Sequence, residues 1–296
     1  MVIEFFKAIL FGIVEGVTEW LPISSTGHLI LLDELLRLDA APSLGSEFQA
    51  EFMEMFEVVI QLGAIFAVLV VFFSKLNPFS RKKDHSEKRA TWSLWFKVAL
   101  ASIPAAFVGI VLDEILEDAT GKDIDGWLYN SIVVGAALII YGILFIVVEK
   151  VNKNREYKVL EVADISYKNA FLIGIFQMLA IIPGTSRSGS TILGSMCIGL
   201  SRVAAAEFSF FLAIPAMLGA SAIKVLGFLS YVGESGISVP ASALVLLGLG
   251  MAVAFIVSLV TIKFLMDFVK KHSFSAFGIY RIILGALVLL YFLLFA

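Results

Sequence analysis

At 296 residues, with 59% hydrophobic and only 16% charged side chains, the chain departs far from a soluble domain, which carries about 25% charged residues. That excess of apolar surface and a mean hydropathy of +0.95 exclude an ordinary water-soluble globule. The net charge of −3 excludes a nucleic-acid binder built on basic side chains, and the single cysteine, Cys197, excludes an intramolecular disulfide and reads as a small core residue.

The opening residues lack a basic start and carry charges within their apolar stretch, so they do not read as a cleavable signal. The first apolar region, 5–38, is interrupted by Pro22-Ile-Ser-Ser-Thr-Gly27. Polar backbone at membrane depth is tolerated only inside protein or beside a wet cavity, so this region is expected to be a re-entrant helical hairpin. A polar loop over roughly 39–53 follows, then transmembrane spans near 55–74, 94–112 and 128–148. A charged linker at 151–165 leads to a second interrupted region, 166–200, broken by Pro183-Gly-Thr-Ser-Arg-Ser-Gly189. Spans near 204–227, 241–266 and 277–295 complete the chain.

With both hairpins re-entrant, loops 75–91, 149–168 and 267–275 share one side and hold 13 basic residues. The opposite loops hold only Arg37 and Lys122, with acidic clusters at Asp113, Glu114, Glu117, Asp118, Asp123 and Asp125. That asymmetry places the basic loops in the cytoplasm and both termini outside. A full crossing by the first hairpin alone would reverse every assignment together. The chain also repeats itself. A shift of 162 aligns Gly12-Ile-Val-Glu15 with Gly174-Ile-Phe-Gln177, Ser24 with Ser186 and Gly27 with Gly189. A shift of 150 aligns Glu57 with Glu207, Gly135 with Gly285 and Tyr141 with Tyr291. The expected fold is therefore an all-α integral membrane protein with an inverted-topology repeat, residues 1–150 and 166–296. Each half has a re-entrant hairpin plus three transmembrane helices, and the site lies where the halves meet.

Two constellations carry chemistry. In the first hairpin Glu15 and Glu19, four apart, share a helix face. Close carboxylates at membrane depth point to function and either share a proton or hold a hard cation such as Mg²⁺, with Ca²⁺ as the alternative. They lead into Ser24, Ser25, Thr26, Gly27 and His28, where a hydroxyl next to a base suits attack on phosphorus. In the second hairpin Thr185, Ser186, Ser188 and Gly189 surround Arg187, a phosphate clamp whose charge needs a carboxylate partner; the first hairpin supplies the obvious ones. Glu57 and Gln61, one turn apart, line the cavity or mark the membrane interface, and Glu207 pairs with Arg202 or lines the far side.

The stretch Glu15-Gly-Val-Thr-Glu-Trp-Leu-Pro-Ile-Ser-Ser-Thr-Gly-His28 resembles the EGxTEfLPvSSTGH motif of the undecaprenyl-diphosphate phosphatase (BacA/UppP) family, and Pro183–Gly189 resembles that family's PGxSRSG motif. Phe56–Gly63 and Gly278-Ile-Tyr-Arg281 are also similar. The resemblance implies hydrolysis of undecaprenyl diphosphate to undecaprenyl phosphate at the outer face of the bacterial inner membrane. It implies a divalent-cation requirement, recycling of the lipid carrier for cell-wall peptidoglycan, and bacitracin resistance. Its functional residues fall on Glu15, Glu19, Ser25, His28 and Arg187. Ser25 then attacks the terminal phosphorus with His28 or a glutamate taking its proton, or an activated water attacks while Ser25 only binds phosphate. The expected partners are a prenyl diphosphate and membrane lipids, with homo-oligomerisation left open. The rival reading, a secondary transporter or lipid-carrier flippase, uses the same repeat and charges but needs no nucleophile.

Overall fold

The computed structural model describes residues 2–121, 127–128 and 130–295. Lys122, Asp123 and Asp125 of the expected acidic loop lie outside the described residues, as do the side chains of Asp113, Glu114 and Glu117. The helices are α1 (Val2–Thr18), α2 (Ser25–Leu36), α3 (Gly45–Val71), α4 (Phe73–Leu76), α5 (His85–Phe107), α6 (Asp113–Thr120), α7 (Ser131–Asn152), α8 (Tyr167–Met178), α9 (Arg187–Cys197), α10 (Arg202–Ser235), α11 (Ala241–Lys271) and α12 (Ser275–Phe295). Six of them are long and apolar enough to cross a bilayer: α3, α5, α7, α10, α11 and α12. Among the described residues no strand forms beyond an isolated bridge between Val159 and Leu200. The chain is an all-helical, multi-pass membrane protein.

Local sequence explains where these helices start. Asp84 and Glu87 close a capping box on α5, and Ser166 and Ser201 accept from backbone N–H groups at the starts of α8 and α10. The helix α3 begins ten residues before the span expected near 55, taking up much of the stretch assigned to a polar loop. Its early charges misled: Glu47 and Glu54 face outward, while Phe48, Phe52 and Phe56 make a buried stripe at helical spacing. Phe48 and Phe52 pack edge-on against Phe228 of α10, and Phe11 of α1 meets Phe56.

Both interrupted regions double back. Lys7 donates to the Arg37 carbonyl at 2.7 Å and the Asp39 N–H donates to Glu4 at 2.8 Å, tying the start of α1 to the end of α2. Backbone bonds from Lys158 and Val159 to the Gly199 carbonyl bring the entry to α8 beside the exit from α9. Each first arm is held by helices from the other end of the chain: α1 packs on α11, and α8 on α5. Close approach needs small residues. A Cβ on Gly12 would lie 2.6 Å from the Gly250 carbonyl oxygen, and Gly174 faces Ala101 in the same way. Between α7 and α12, Gly142 and Gly278 each leave room for the other's carbonyl.

Pairing with Arg202 is one of two arrangements expected for Glu207, and the two residues do not pair with each other. Glu207 takes Lys75 at 2.5 Å instead of Arg202. Arg202 instead grips Glu149 through Nε at 2.8 Å and Nη2 at 2.6 Å, and Glu149 also accepts the Phe274 N–H at 2.7 Å. This clasp knots α7, α10 and the α11–α12 turn with charge-assisted bonds. Cys197, read as a core residue, is exposed because α9 ends there and its last turn meets the 152–160 segment through backbone carbonyls.

Replacing Gly12 by Val is expected to destabilise the fold by about 1–3 kcal/mol through overpacking. Gly227→Ala, at a position with nothing within 4 Å of the new methyl, is expected to leave the melting temperature unchanged or raise it. Thermal melts of the two purified variants in one detergent check the contrast.

Candidate active site

The two broken regions meet at the starts of their second arms. Ser24 precedes α2 with φ 76° and Ser186 precedes α9 with φ 70°. A non-glycine residue in the left-handed region costs of order 1–3 kcal/mol and persists only where the surroundings enforce it. Each serine side chain caps its helix, accepting from the N–H of Gly27 or Gly189. The matched strain leaves Ser25 and Arg187 as the first residues of two helices whose N-terminal N–H groups favour anions.

Arg187 spans the gap. Its Nη2 donates to Glu19 Oε1 at 2.7 Å, and its Nη1 to the Ser209 carbonyl of α10 at 2.7 Å. The other carboxylate oxygen of Glu19 accepts the Ser25 hydroxyl at 2.6 Å. Glu19 is therefore engaged on both oxygens, by the guanidinium of one broken region and the hydroxyl of the other. Ser188 donates to the Glu19 backbone carbonyl at 3.2 Å and closes the same junction. Trp20 lies fully buried below, its ring 6.0 Å from the Arg187 guanidinium. Glu15, one turn earlier on α1, is completely buried with neither carboxylate oxygen hydrogen-bonded. Glu19, Glu57 and Arg187 are the charges that act on it.

Other expected residues take other places. His28 turns away from Ser25: its Nδ1–H donates to the Ser24 carbonyl and its Nε2 shares a hydrogen bond with the Tyr280 hydroxyl, both at 2.7 Å. Its rings stack on Tyr280, and both residues line an apolar groove of about 520 Å³ with Val17, Leu21, Ile23 and Phe277. Thr26 and Gln61 line a separate cavity of about 900 Å³, with Asp33, Glu54, Glu57 and Lys224. Glu57 lines this second cavity with Gln61, apart from the Glu19–Arg187 junction. Gly27 packs on Val134 and Leu138 of α7, and Thr185 is buried with its hydroxyl unpartnered.

Arg281 of α12 closes the Gly278-Ile-Tyr-Arg281 stretch and has no role among the expected site residues. It is fully buried and donates to the carbonyls of Pro22, Gly184 and Thr185 at 3.1, 2.7 and 2.8 Å. A lone arginine within some twenty apolar residues was the available signal, since ionisable groups at membrane depth default to function. Ser209 and Tyr280 gave no comparable sign.

A family model described as bacitracin resistance protein BacA matches residues 8–287, so the chain belongs to that family. Curated relatives are similar over nearly their whole length. The undecaprenyl-diphosphatase of Enterococcus faecalis is 51% identical, covering 97% of each chain. Undecaprenyl-diphosphatase 1 of Clostridioides difficile is 51% identical over 99% of this chain and 97% of its own. The undecaprenyl-diphosphatase of Lactiplantibacillus plantarum is 49% identical over 99% of both.

Glu19→Leu would strand the Arg187 charge in a buried setting and is expected to cost about 3–5 kcal/mol, whereas the double replacement of Glu19 and Arg187 by leucine should recover most of that loss. A double-mutant cycle on detergent-solubilised protein, read by thermal melting, checks the coupling.

Proposed function

We propose that Ser25, Glu19 and Arg187 form the reaction centre with which this BacA family member hydrolyses undecaprenyl diphosphate to undecaprenyl phosphate and inorganic phosphate. The chain is an undecaprenyl-diphosphatase, as relatives similar over nearly their whole length are named, and it belongs to the family described as bacitracin resistance protein BacA. The observation that carries the residue assignment is the relay in which the Ser25 hydroxyl donates to a carboxylate whose other oxygen is held by Arg187.

The relay supports a serine nucleophile with a glutamate base. Glu19 Oε2 takes the Ser25 proton as Oγ attacks the terminal phosphorus. The bond to the bridging oxygen breaks, and undecaprenyl phosphate leaves with that oxygen. Arg187 and the N-terminal amides of α2 and α9 face the charge gathering on the phosphoryl oxygens. Water then attacks the phosphoserine, giving inorganic phosphate and restoring the hydroxyl. The orientation of His28 favours Glu19 over His28 as the base and makes His28 a brace for the Ser24 backbone.

The residues present suit a hard divalent cation. Both Glu15 oxygens are buried and unpartnered, and oxygen donors of this kind match Mg²⁺. Among the described residues no group of three or more His, Cys, Asp or Glu side chains converges on a common point. Glu15 is the residue that would hold the ion, since both Glu19 oxygens are already engaged. Bound there, it would neutralise diphosphate charge.

The finer architecture belongs to the same proposal. The matched caps at Ser24 and Ser186, and the reciprocal packing of α1 on α11 and α8 on α5, support an inverted repeat of residues 1–150 and 166–296 joined by 151–165. Each half would carry a re-entrant hairpin. The basic loops support a cytoplasmic linker and a first hairpin at the outer face of the inner membrane. The apolar groove beside His28 suits a prenyl chain.

Phosphate release by the purified protein from a prenyl diphosphate should be rapid with Mg²⁺ and stop with chelator. Ser25→Ala, Glu19→Gln and Arg187→Ala should each lose about 10²–10³-fold in kcat. Rapid quench with labelled terminal phosphate should trap label on the wild type and none on Ser25→Ala. A folded wild type that releases no phosphate would overturn the reading. Hydrolysis without trapped label would replace the serine by an activated water.

A further inference from the structure

Arg281 is the largest buried cation outside the relay, and nothing in the chemistry above uses it. Its side chain is fully buried within α12, and among the described residues it forms no salt bridge. What it holds instead is backbone. Nη1 donates to Pro22 O, in the break of the first hairpin, and Nη2 donates to Gly184 O and Thr185 O, in the break of the second. These carbonyls lie one or two residues ahead of Ser24 and Ser186, the two residues held at positive φ. The Tyr141 ring covers the guanidinium at 5.5 Å, and the Cα of Gly189 leaves just enough space beside Nη1, since a Cβ there would come within 3.0 Å. A planar fork with donors on several edges can hold three carbonyls at once, which an ammonium cannot do in the same geometry.

We propose that Arg281 is a positioning residue for hydrolysis: one guanidinium fixes both strained turns, and through them sets the distance between Ser25 and Arg187. The inference rests on the phosphatase reading above. It explains why two left-handed serines coexist without glycine. The turns are clamped by donors that satisfy carbonyls water cannot reach. It also gives the site a positive charge that no carboxylate cancels, close to the two helix N-termini that face the diphosphate.

A displacement of about 1 Å at a reacting centre costs on the order of 10²-fold in rate. Arg281→Lys keeps the charge and loses the fork. The purified variant should melt below wild type yet stay folded at the assay temperature, lose about 10²-fold in kcat per folded molecule and change KM less than threefold. A folded Arg281→Lys with kcat within threefold of wild type would overturn the proposal. So would a loss that only tracks the unfolded fraction, or one confined to KM. Gly189→Ala is the second variant, kept in reserve against misfolding of the first. Its methyl pushes Nη1 from Pro22 while every charge remains, and kcat should fall about tenfold. Unchanged kcat there would count equally against the clamp. Wild-type hydrolysis is measured in parallel: its absence sinks the phosphatase reading, whereas its presence beside an active Arg281→Lys sinks this inference alone.

Discussion

The ion pair between Arg187 and Glu19 joins residues 168 positions apart, and much of the site's geometry follows from it. A guanidinium buried in a membrane protein is costly without a partner, and so is a carboxylate. Each hairpin therefore brings a charge it cannot keep alone. The pairing draws the two breaks together and links Ser25, at the start of α2, to Arg187, at the start of α9, through one carboxylate. Ser25 enters the pair through the carboxylate oxygen that Arg187 leaves open. In the proposed reaction, stability and chemistry use the same contact. A buried ion pair contributes little net stability against an apolar replacement, so its presence is better explained by the charge it offers to a polyanionic substrate.

Burial divides the charged side chains into two kinds. Those at the ends of the bundle are structural: Glu149 with Arg202, Glu207 with Lys75, Glu54 with Lys224. Each of these pairs ties helices distant in sequence. Those in the middle are left incomplete. Glu15 has no hydrogen-bond partner on either oxygen, and Arg187 and Arg281 each keep an unpartnered Nε. Buried polar groups are nearly always satisfied, and the exceptions call for an explanation. Here they gather around one junction, as expected of a site whose remaining partners arrive with a ligand.

Much of this was legible in the residues. The apolar runs announced the long helices, and Pro22–Gly27 and Pro183–Gly189 announced the breaks. The need of Arg187 for a carboxylate from the first hairpin followed from the cost of burying a lone cation. Which carboxylate it takes did not follow, because Glu15 and Glu19 lie on one face and differ only in depth. The early start of α3 was masked by Glu47 and Glu54, whose charges hid the Phe48, Phe52 and Phe56 stripe. Arg281 escaped for another reason. Its partners are main-chain carbonyls, which every residue owns, so no pattern of side chains could reveal them. The exchange of Arg202 from Glu207 to Glu149 likewise turned on which helix ends share a face of the bundle.

The crossed packing of α1 on α11 and α8 on α5 has a consequence for how the molecule is made. The helix α1 leaves the ribosome first, yet the surface that fills against Gly12 and Gly16 belongs to Gly250 and Ala254, among the last quarter of the chain to emerge. Contacts so distant in sequence form late and slowly. Through most of synthesis the first hairpin must wait with two carboxylates and no guanidinium, and it is completed only when the second half threads past it. The two halves mature as one body or not at all, and a ribosome that stops after residue 150 leaves behind a hairpin with nothing to close on.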